Sequence, residues 1–432
     1  MANLPVELLS HILTFVPFMD KMNSMTVSRS WYIAARVALK RQRGFVIGSC
    51  MGNKHFCDGI LKFDYLDPLS EQSVRVSQYK AGGNTEMSSH LSDLCPGVQI
   101  LCDSGCDTAV SMLLLRAYRT KLRYLQLDSS VKKLHKVGVF PVLEYLKYAK
   151  LGPNIKSVGD TFPKLKYFDV SELTDEQIVS LPDGLKGMKL YFADDKSIQK
   201  ISEASARNSL QVLHIITNKF TASVKTFNFP NLKDLSIRGL EDMGNLFVSL
   251  RSSVNLIKLH ISARTCVTVD NNAMLNAFAA LDHLTSLNLR FIILSDPVTF
   301  WTRMVQIFAH RLQHLTFSTH FVTSDSLRLI SGFAALKTLS FPFIYDQPFI
   351  FNNVPENIRS RLPFDTRNLL QFFRTPTASK AILQDVSIHM QSLGPDLQVI
   401  RDLEAELYEM KQNHRLESAE IREVGNRNSI YV

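Results

Sequence analysis

Between residues 122 and 341 a six-residue phrase returns ten times: an apolar residue, two others, an apolar residue, one other, an apolar residue. It runs from Leu122/Leu125/Leu127 through Leu143/Leu146/Tyr148, Leu165/Phe168/Val170 and six more copies to Leu336/Leu339/Phe341. The first anchors follow one another at steps of 20 to 28 residues. A further unit is expected at Leu383/Val386/Ile388, and Val98 opens a degenerate first one. One such phrase says little. Ten in steady phase constrain the chain to an array of stacked units, each burying its apolar residues against the next.

The last two anchors of each phrase alternate around a single residue, as on a short strand with two different faces. The anchors then point inward and the residues between them line the outer strand face. Each unit needs a return segment, and several returns carry helical spacing: Asn271 to Leu281, with Met274, Leu275, Phe278 and Leu281, and Pro297 to His310, with Trp301, Met304, Val305 and Phe308. Asp296 and Ser324 are expected helix caps. Strand and helix alternating in this way predict an α/β solenoid, a parallel sheet with helices on its outer side. Phrase and period resemble leucine-rich repeats, which implies a horseshoe with the sheet on the concave face. The consensus asparagine, three residues after the last anchor, occurs only at Asn218. The ladder that usually ties neighbouring turns is therefore largely missing.

Ahead of the array the chain reads differently. Pro5 suits a first helical position. Leu8, Leu9, Ile12, Leu13 and Val16 follow at helical spacing, and Pro17 stops the run. Asp20 is an expected cap for a second short helix and Ser28 for a third that carries Trp31, Ala34, Ala35, Ala38 and Leu39. Three short helices in forty residues cannot bury so many apolar side chains among themselves, which predicts a docking surface. The string Leu4-Pro5-x-Glu7-Leu8-Leu9-x-x-Ile12-Leu13-x-Phe15-Val16-Pro17-x-x-Asp20, followed by Val27-Ser28-x-x-Trp31, resembles an F-box. Lys21 stands where that pattern often has leucine, and Ser28 where cysteine is common. The resemblance implies docking to a Skp adaptor, and through it to a cullin, with Leu4, Pro5, Leu8, Leu9, Ile12, Leu13, Val16, Pro17 and Trp31 forming or supporting the interface. Periodicity alone equally allows an ordinary helical hairpin packed on the next domain.

The expected layout is an F-box over residues 1–44 and a linker or degenerate repeats over 45–97. Repeats follow over 98–390, interrupted at 342–382, and a capping helix and tail over 391–432. The 45–97 stretch holds strand-like runs at Phe45 to Ile47 and Val74 to Ser77, with a turn at Gly82-Gly83-Asn84, but no repeat phase. The interruption mixes five prolines with Phe343, Tyr345, Phe349 and Phe351, which suits either a binding loop or a lid. Residues 396–424 read as one final helix with a stripe of Leu397, Ile400, Leu403, Leu407 and Met410, either a cap or a partner-binding helix.

Composition narrows the function. No run approaches the roughly 18 apolar residues of a membrane helix, and the first ten residues show no basic secretory leader, so the expected location is cytoplasmic, nuclear or both. Six cysteines without paired Cys-x-x-Cys spacing predict reduced thiols, with no metal site and no cofactor. Phosphate-loop, dinucleotide-binding, zinc-protease and nucleophile-elbow motifs are all missing, which predicts a non-catalytic protein. The net charge of +9 is spread rather than gathered into a patch with interleaved aromatics, so nucleic acid is the weakest partner reading.

On the outer strand face the array presents Lys147, Lys189, Tyr191, His214, Arg238, His260 and Arg290. That strip is an expected grip for an acidic or phosphorylated segment of an unknown substrate protein. With the F-box resemblance, the expected function is the substrate-recognition subunit of an SCF-type ubiquitin ligase. A repeat scaffold without a ligase role is the alternative.

Overall fold

The computed structural model describes residues 4–14, 16, 18–41, 44–48, 76–79, 93–104, 108–127, 133–217, 228–240, 243, 246–317, 324–342, 373–374, 384–391, 397–412, 418–424 and 429–431. The expected turn at Gly82-Gly83-Asn84, Asn218, and Phe343, Tyr345, Phe349 and Phe351 of the 342–382 interruption lie outside them. The chain divides into two compact units, Met1–Met188 and Lys189–Val432.

The first unit begins with three helices, α1 (Val6–Thr14), α2 (Phe18–Ser24) and α3 (Arg29–Lys40). Leu9 and Leu13 from α1 meet Ala34, Ala35 and Ala38 from α3 in one buried core, with Val6, Val16, Met25 and Trp31 partly buried against it. The alanines let the two helix backbones approach closely. Ser28 caps α3 as its sequence position predicts, its hydroxyl accepting from the Trp31 N–H at 3.4 Å. Asp20 does not cap α2. The helix starts at Phe18, which leaves Asp20 inside the first turn, where its charge still suits the positive helix end.

There follow β1 (Gly44–Gly48), β2 (Val76–Tyr79), β3 (Ile100–Ser104), α4 (Thr108–Tyr118), β4 (Tyr124–Leu127), β5 (Tyr145–Lys150), α5 (Val158–Thr161), β6 (Tyr167–Glu172) and α6 (Asp175–Val179). The strands form a parallel sheet in the order β2-β1-β3-β4-β5-β6. The two strands from the stretch that lacked repeat phase thus extend the same sheet. Middle anchors stand in one row, Leu101 beside Leu125, Leu146 and Phe168. In the degenerate first unit Val98 and Leu101 are buried anchors, but the third place holds Asp103. That carboxylate is also buried, and it accepts from the Ser111 hydroxyl on α4. A polar anchor survives there because its own return helix satisfies it.

Strand β7 (Gly187–Tyr191) spans the junction of the units. The second unit continues with α7 (Asp195–Glu203), β8 (Val212–Ile216), β9 (Asp234–Leu240), α8 (Leu246–Leu250), β10 (Lys258–Val269), α9 (Asn271–Ala279), β11 (Ser286–Leu294), α10 (Pro297–Phe308), β12 (His314–Phe317), α11 (Ser324–Ile330) and β13 (Thr338–Pro342). It ends with β14 (Asp385–Gln391), α12 (Leu397–Gln412), β15 (Ser418–Val424) and β16 (Ser429–Tyr431). Strands β8 to β15 are neighbours in chain order. Their described pairings are parallel, while β16 closes the edge antiparallel. The middle anchors again share a row: Leu213, Leu235, Leu259, Leu287, Leu315, Leu339, Val386 and Ala419.

Every anchor of the ten phrases is at most 4% exposed. Helices cover the anchor side. Trp301 on α10 lies 4.9 Å from the Phe317 ring, which meets Phe341 edge-on at 5.1 Å, so three successive units share one aromatic cluster. Asp296 caps α10, accepting from Thr299 N–H at 3.1 Å, with Pro297 at the first helical position. Ser324 is the first residue of α11 rather than a residue preceding it.

Two regular ties replace the missing asparagine ladder. The carbonyl just after the first anchor accepts two N–H groups from the next unit, as when Gln99 takes Arg123 and Tyr124, or Thr285 takes Gln313 and His314. The residue just before the first anchor reaches back with its side chain to the preceding turn. Asn231 donates to the Asn208 carbonyl at 2.6 Å, Asn255 to Pro230 at 2.7 Å, Arg311 to Asp282 at 3.0 Å and Lys121 to Pro96 at 3.0 Å.

The expected single helix over residues 396–424 is only half right. Helix α12 ends at Gln412, and residues 418–424 are the strand β15, paired in register with β14. Leu416-x-x-Ala419-x-Ile421 repeats the six-residue phrase, so α12 is the return of one more unit.

Candidate functional site

On α1 the two apolar rows separate. Leu8 and Ile12, four residues apart and therefore on one side of the helix, are 45% and 42% exposed, and Leu4, two residues before the helix begins, is 44% exposed. Pro5 is exposed beside them. Leu9 and Leu13 are buried and can only support this row, while Val16 and Trp31 are partly buried against the same core. Pro17 lies outside the described residues. Val27, Tyr32 and Ile33 are also exposed. Val27, already quoted in the motif, lies in the turn before α3, while Tyr32 and Ile33 sit on α3 at positions that sequence reading did not single out.

Lys21, the departure from the F-box pattern, faces inward. It is almost wholly buried and within Coulomb range of the Cys95 thiol. Burial pushes Cys95 up to about 12, and Lys21 pulls it the other way. The unusual residue is therefore buried and does not belong to the exposed row.

The expected basic strip is not uniform. In the first unit Lys147 stands in register between Gln126 and Asp169, both buried. Beside it Tyr124 and Tyr145 stack at 4.3 Å and 4°. Burial, followed by the Tyr145 neighbour, holds the Tyr124 phenol well above its ordinary range. Lys147 is an isolated cation on an aromatic face.

In the second unit Lys189 lies over the Tyr191 ring at 4.9 Å, so each occupies the other. His214 Nε2 is 3.3 Å from Asp234 Oδ1. The remaining three converge. Register places His214, Ser236, His260 and Asn288 side by side, and next to them Ile216, Arg238, Ser262 and Arg290. Arg290 Nε donates to Asn288 Oδ1 at 3.1 Å. His260 Nε2 is buried with no hydrogen-bond partner among the described residues. Burial, then Arg238, Arg290 and His214, against the pull of Asp234, push its pKa down to about 3. Arg290 is lowered too, by burial and then by Arg238. The two guanidinium groups repel each other and, together with burial, disfavour a charge on the imidazole between them.

Sequence reading missed Phe192. It is 60% exposed, holds φ 62, and its N–H donates to the Ile216 carbonyl at 2.7 Å. A left-handed phenylalanine leaves no mark in sequence, because that region favours glycine. Among the described residues no group of three or more His, Cys, Asp or Glu could hold a metal ion, and no helix is long and apolar enough to cross a membrane.

Residues 1–38 match the F-box domain family. A search of curated proteins found no match. Among solved structures the chain is similar to one described as the crystal structure of the Rad7 and Elc1 complex in yeast, at 13% identity and a TM-score of 0.35, covering 83% of this chain and 91% of that one. The chain carries an F-box domain at its N terminus, followed by repeating strand-and-helix units on a parallel sheet.

Proposed function

We propose that this chain is the substrate-recognition subunit of an SCF-type ubiquitin ligase, working in the cytoplasm, the nucleus or both. The F-box docks to a Skp adaptor, and through it to a cullin, while the repeats hold a substrate protein. The chain itself carries out no chemistry. The observation behind this reading is the exposed apolar set Leu4, Leu8 and Ile12, joined by Val27, Tyr32 and Ile33, on a domain where Leu9, Leu13 and the α3 alanines already form a buried core. An apolar row left in water beside a complete core is a surface awaiting a partner.

The test is co-expression with the adaptor and a pull-down, with Leu8→Ala/Pro5→Ala as the paired variant. Complex formation by the parent and its loss in the variant are expected. A folded parent that captures no adaptor would sink the ligase reading and leave a repeat scaffold.

A further inference from the structure

We propose that Arg238, His260 and Arg290 form an oxyanion site that takes the phosphate of a phosphorylated side chain on the partner protein. This rests on reading the strand face of the second unit as the substrate surface, and it narrows that surface from seven residues to three.

The geometry comes from register. Arg238 and Arg290 are paired to the same residue, Ser262, from opposite sides. Two strand spacings place their backbones about 9.5 Å apart. Ser262 between them is small and buried, its hydroxyl turned to the Ala263 carbonyl at 3.4 Å. Two long guanidinium arms thus flank a low floor. His260 lies on the same strand as that floor, two residues back. Its Nε2 is buried, and no protein group satisfies it among the described residues.

Charge and donor count then select the ligand. A buried polar nitrogen without a partner costs free energy that a ligand can restore. Two neighbouring arginines repel each other, and the nearby carboxylate, Asp234, is already engaged by His214 at 3.3 Å. Arg290 donates to Asn288 through Nε, a bond that does not use its two terminal nitrogens. A carboxylate presents two oxygens. A phosphate monoester presents three with nearly two charges, enough for both guanidinium forks and the imidazole. The other four cations and aromatics of the expected strip fall away: Lys189 and Tyr191 occupy each other, His214 holds Asp234, and Lys147 belongs to the first unit.

The experiment titrates the full chain by calorimetry with N-acetyl-O-phosphoserine amide and, separately, with inorganic phosphate. Parent, Arg238→Gln, Arg290→Gln and His260→Gln are compared, each checked for an unchanged circular-dichroism spectrum. Saturable binding of the phosphoserine probe, weakened about tenfold or more in either arginine variant, is expected. Because Arg238 is exposed, its variant keeps the test valid if Arg290→Gln misfolds. Binding of inorganic phosphate with exclusion of the ester would overturn the protein-borne assignment. Absence of binding up to about 20 mM, or binding equal in all four proteins, would overturn the site itself. Adaptor capture is measured on the same preparations. Capture without phosphate binding defeats this inference alone. Phosphate binding without capture defeats the ligase reading and leaves the site standing.

Discussion

The Thr217 carbonyl oxygen occupies the place that a β-carbon on Gly239 would need. Gly239 has φ +87, outside the range open to most side chains. Thr217 is held there firmly: its N–H donates to the Arg238 carbonyl at 2.9 Å and its hydroxyl to the Ala193 carbonyl at 2.5 Å. The close approach sits one residue from Arg238, so the backbone that positions one arm of the proposed oxyanion site depends on a missing side chain.

Gly239→Ala is therefore expected to be costly. The left-handed backbone alone accounts for about 1–3 kcal/mol, and the contact with Thr217 falls far inside the roughly 3.5 Å optimum for non-bonded atoms. Urea unfolding measures the loss. A variant as stable as the parent would mean that β8 and β9 are not locked at this point.

The two rows of α1 predict opposite outcomes for similar truncations. Leu13→Ala opens the small helical core and should cost about 2–5 kcal/mol. Ile12→Ala removes an exposed side chain and should change stability by no more than about 0.5 kcal/mol, yet abolish adaptor capture. Denaturation midpoints and pull-downs on the two variants check this. Loss of capture in Leu13→Ala only, with Ile12→Ala unaffected, would move the docking surface elsewhere.

His260 should make the second unit sensitive to acid. Its folded pKa is lowered to about 3 from an ordinary 6.5. Between those values the unfolded chain binds a proton that the native state refuses. Stability is thus complete above the unfolded value and falls as pH drops toward the folded one, with a slope of at most about 1.4 kcal/mol per pH unit. His260→Gln should remove this contribution. Arg238→Gln should raise the histidine pKa by removing the largest repulsion it meets besides burial, and imidazole NMR titration reads that directly. An unchanged titration in Arg238→Gln would show that the two groups do not share a site.

The array was legible in sequence because its signal is local and repeated. Each unit must hide the same three side chains, so the phrase recurs wherever a strand forms, and all ten phrases became strands. The F-box was legible for the related reason that two helices pack through fixed spacing: Leu9 and Leu13 turned inward, leaving Leu8 and Ile12 outside. Where a unit breaks the phrase, only part of it is legible: Val98 reads as opening a degenerate first unit, but the polar residue at its third anchor place is not foreseen. Asp103 stands at an anchor place and is tolerated only because Ser111, on another element, satisfies it. Strand β15 carries its phrase at Ala419 and Ile421, but the helical stripe running from Leu397 masked it.

Residue type along the chain determined which elements form and which face of each is apolar. Tertiary structure decided what those faces meet. Lys21 reads as a departure from a docking motif, yet it is buried and close enough to lower the Cys95 pKa, because what a side chain on a short helix meets depends on what the helix packs against. Seven basic and aromatic residues read as one strip. Register and neighbours divided them into a stacked pair, an ion pair, an isolated lysine and a three-residue cluster at Arg238, His260 and Arg290. Charges separated by two dozen residues become neighbours only when strands align, and their pairing is a property of distance in space, which no local spacing encodes.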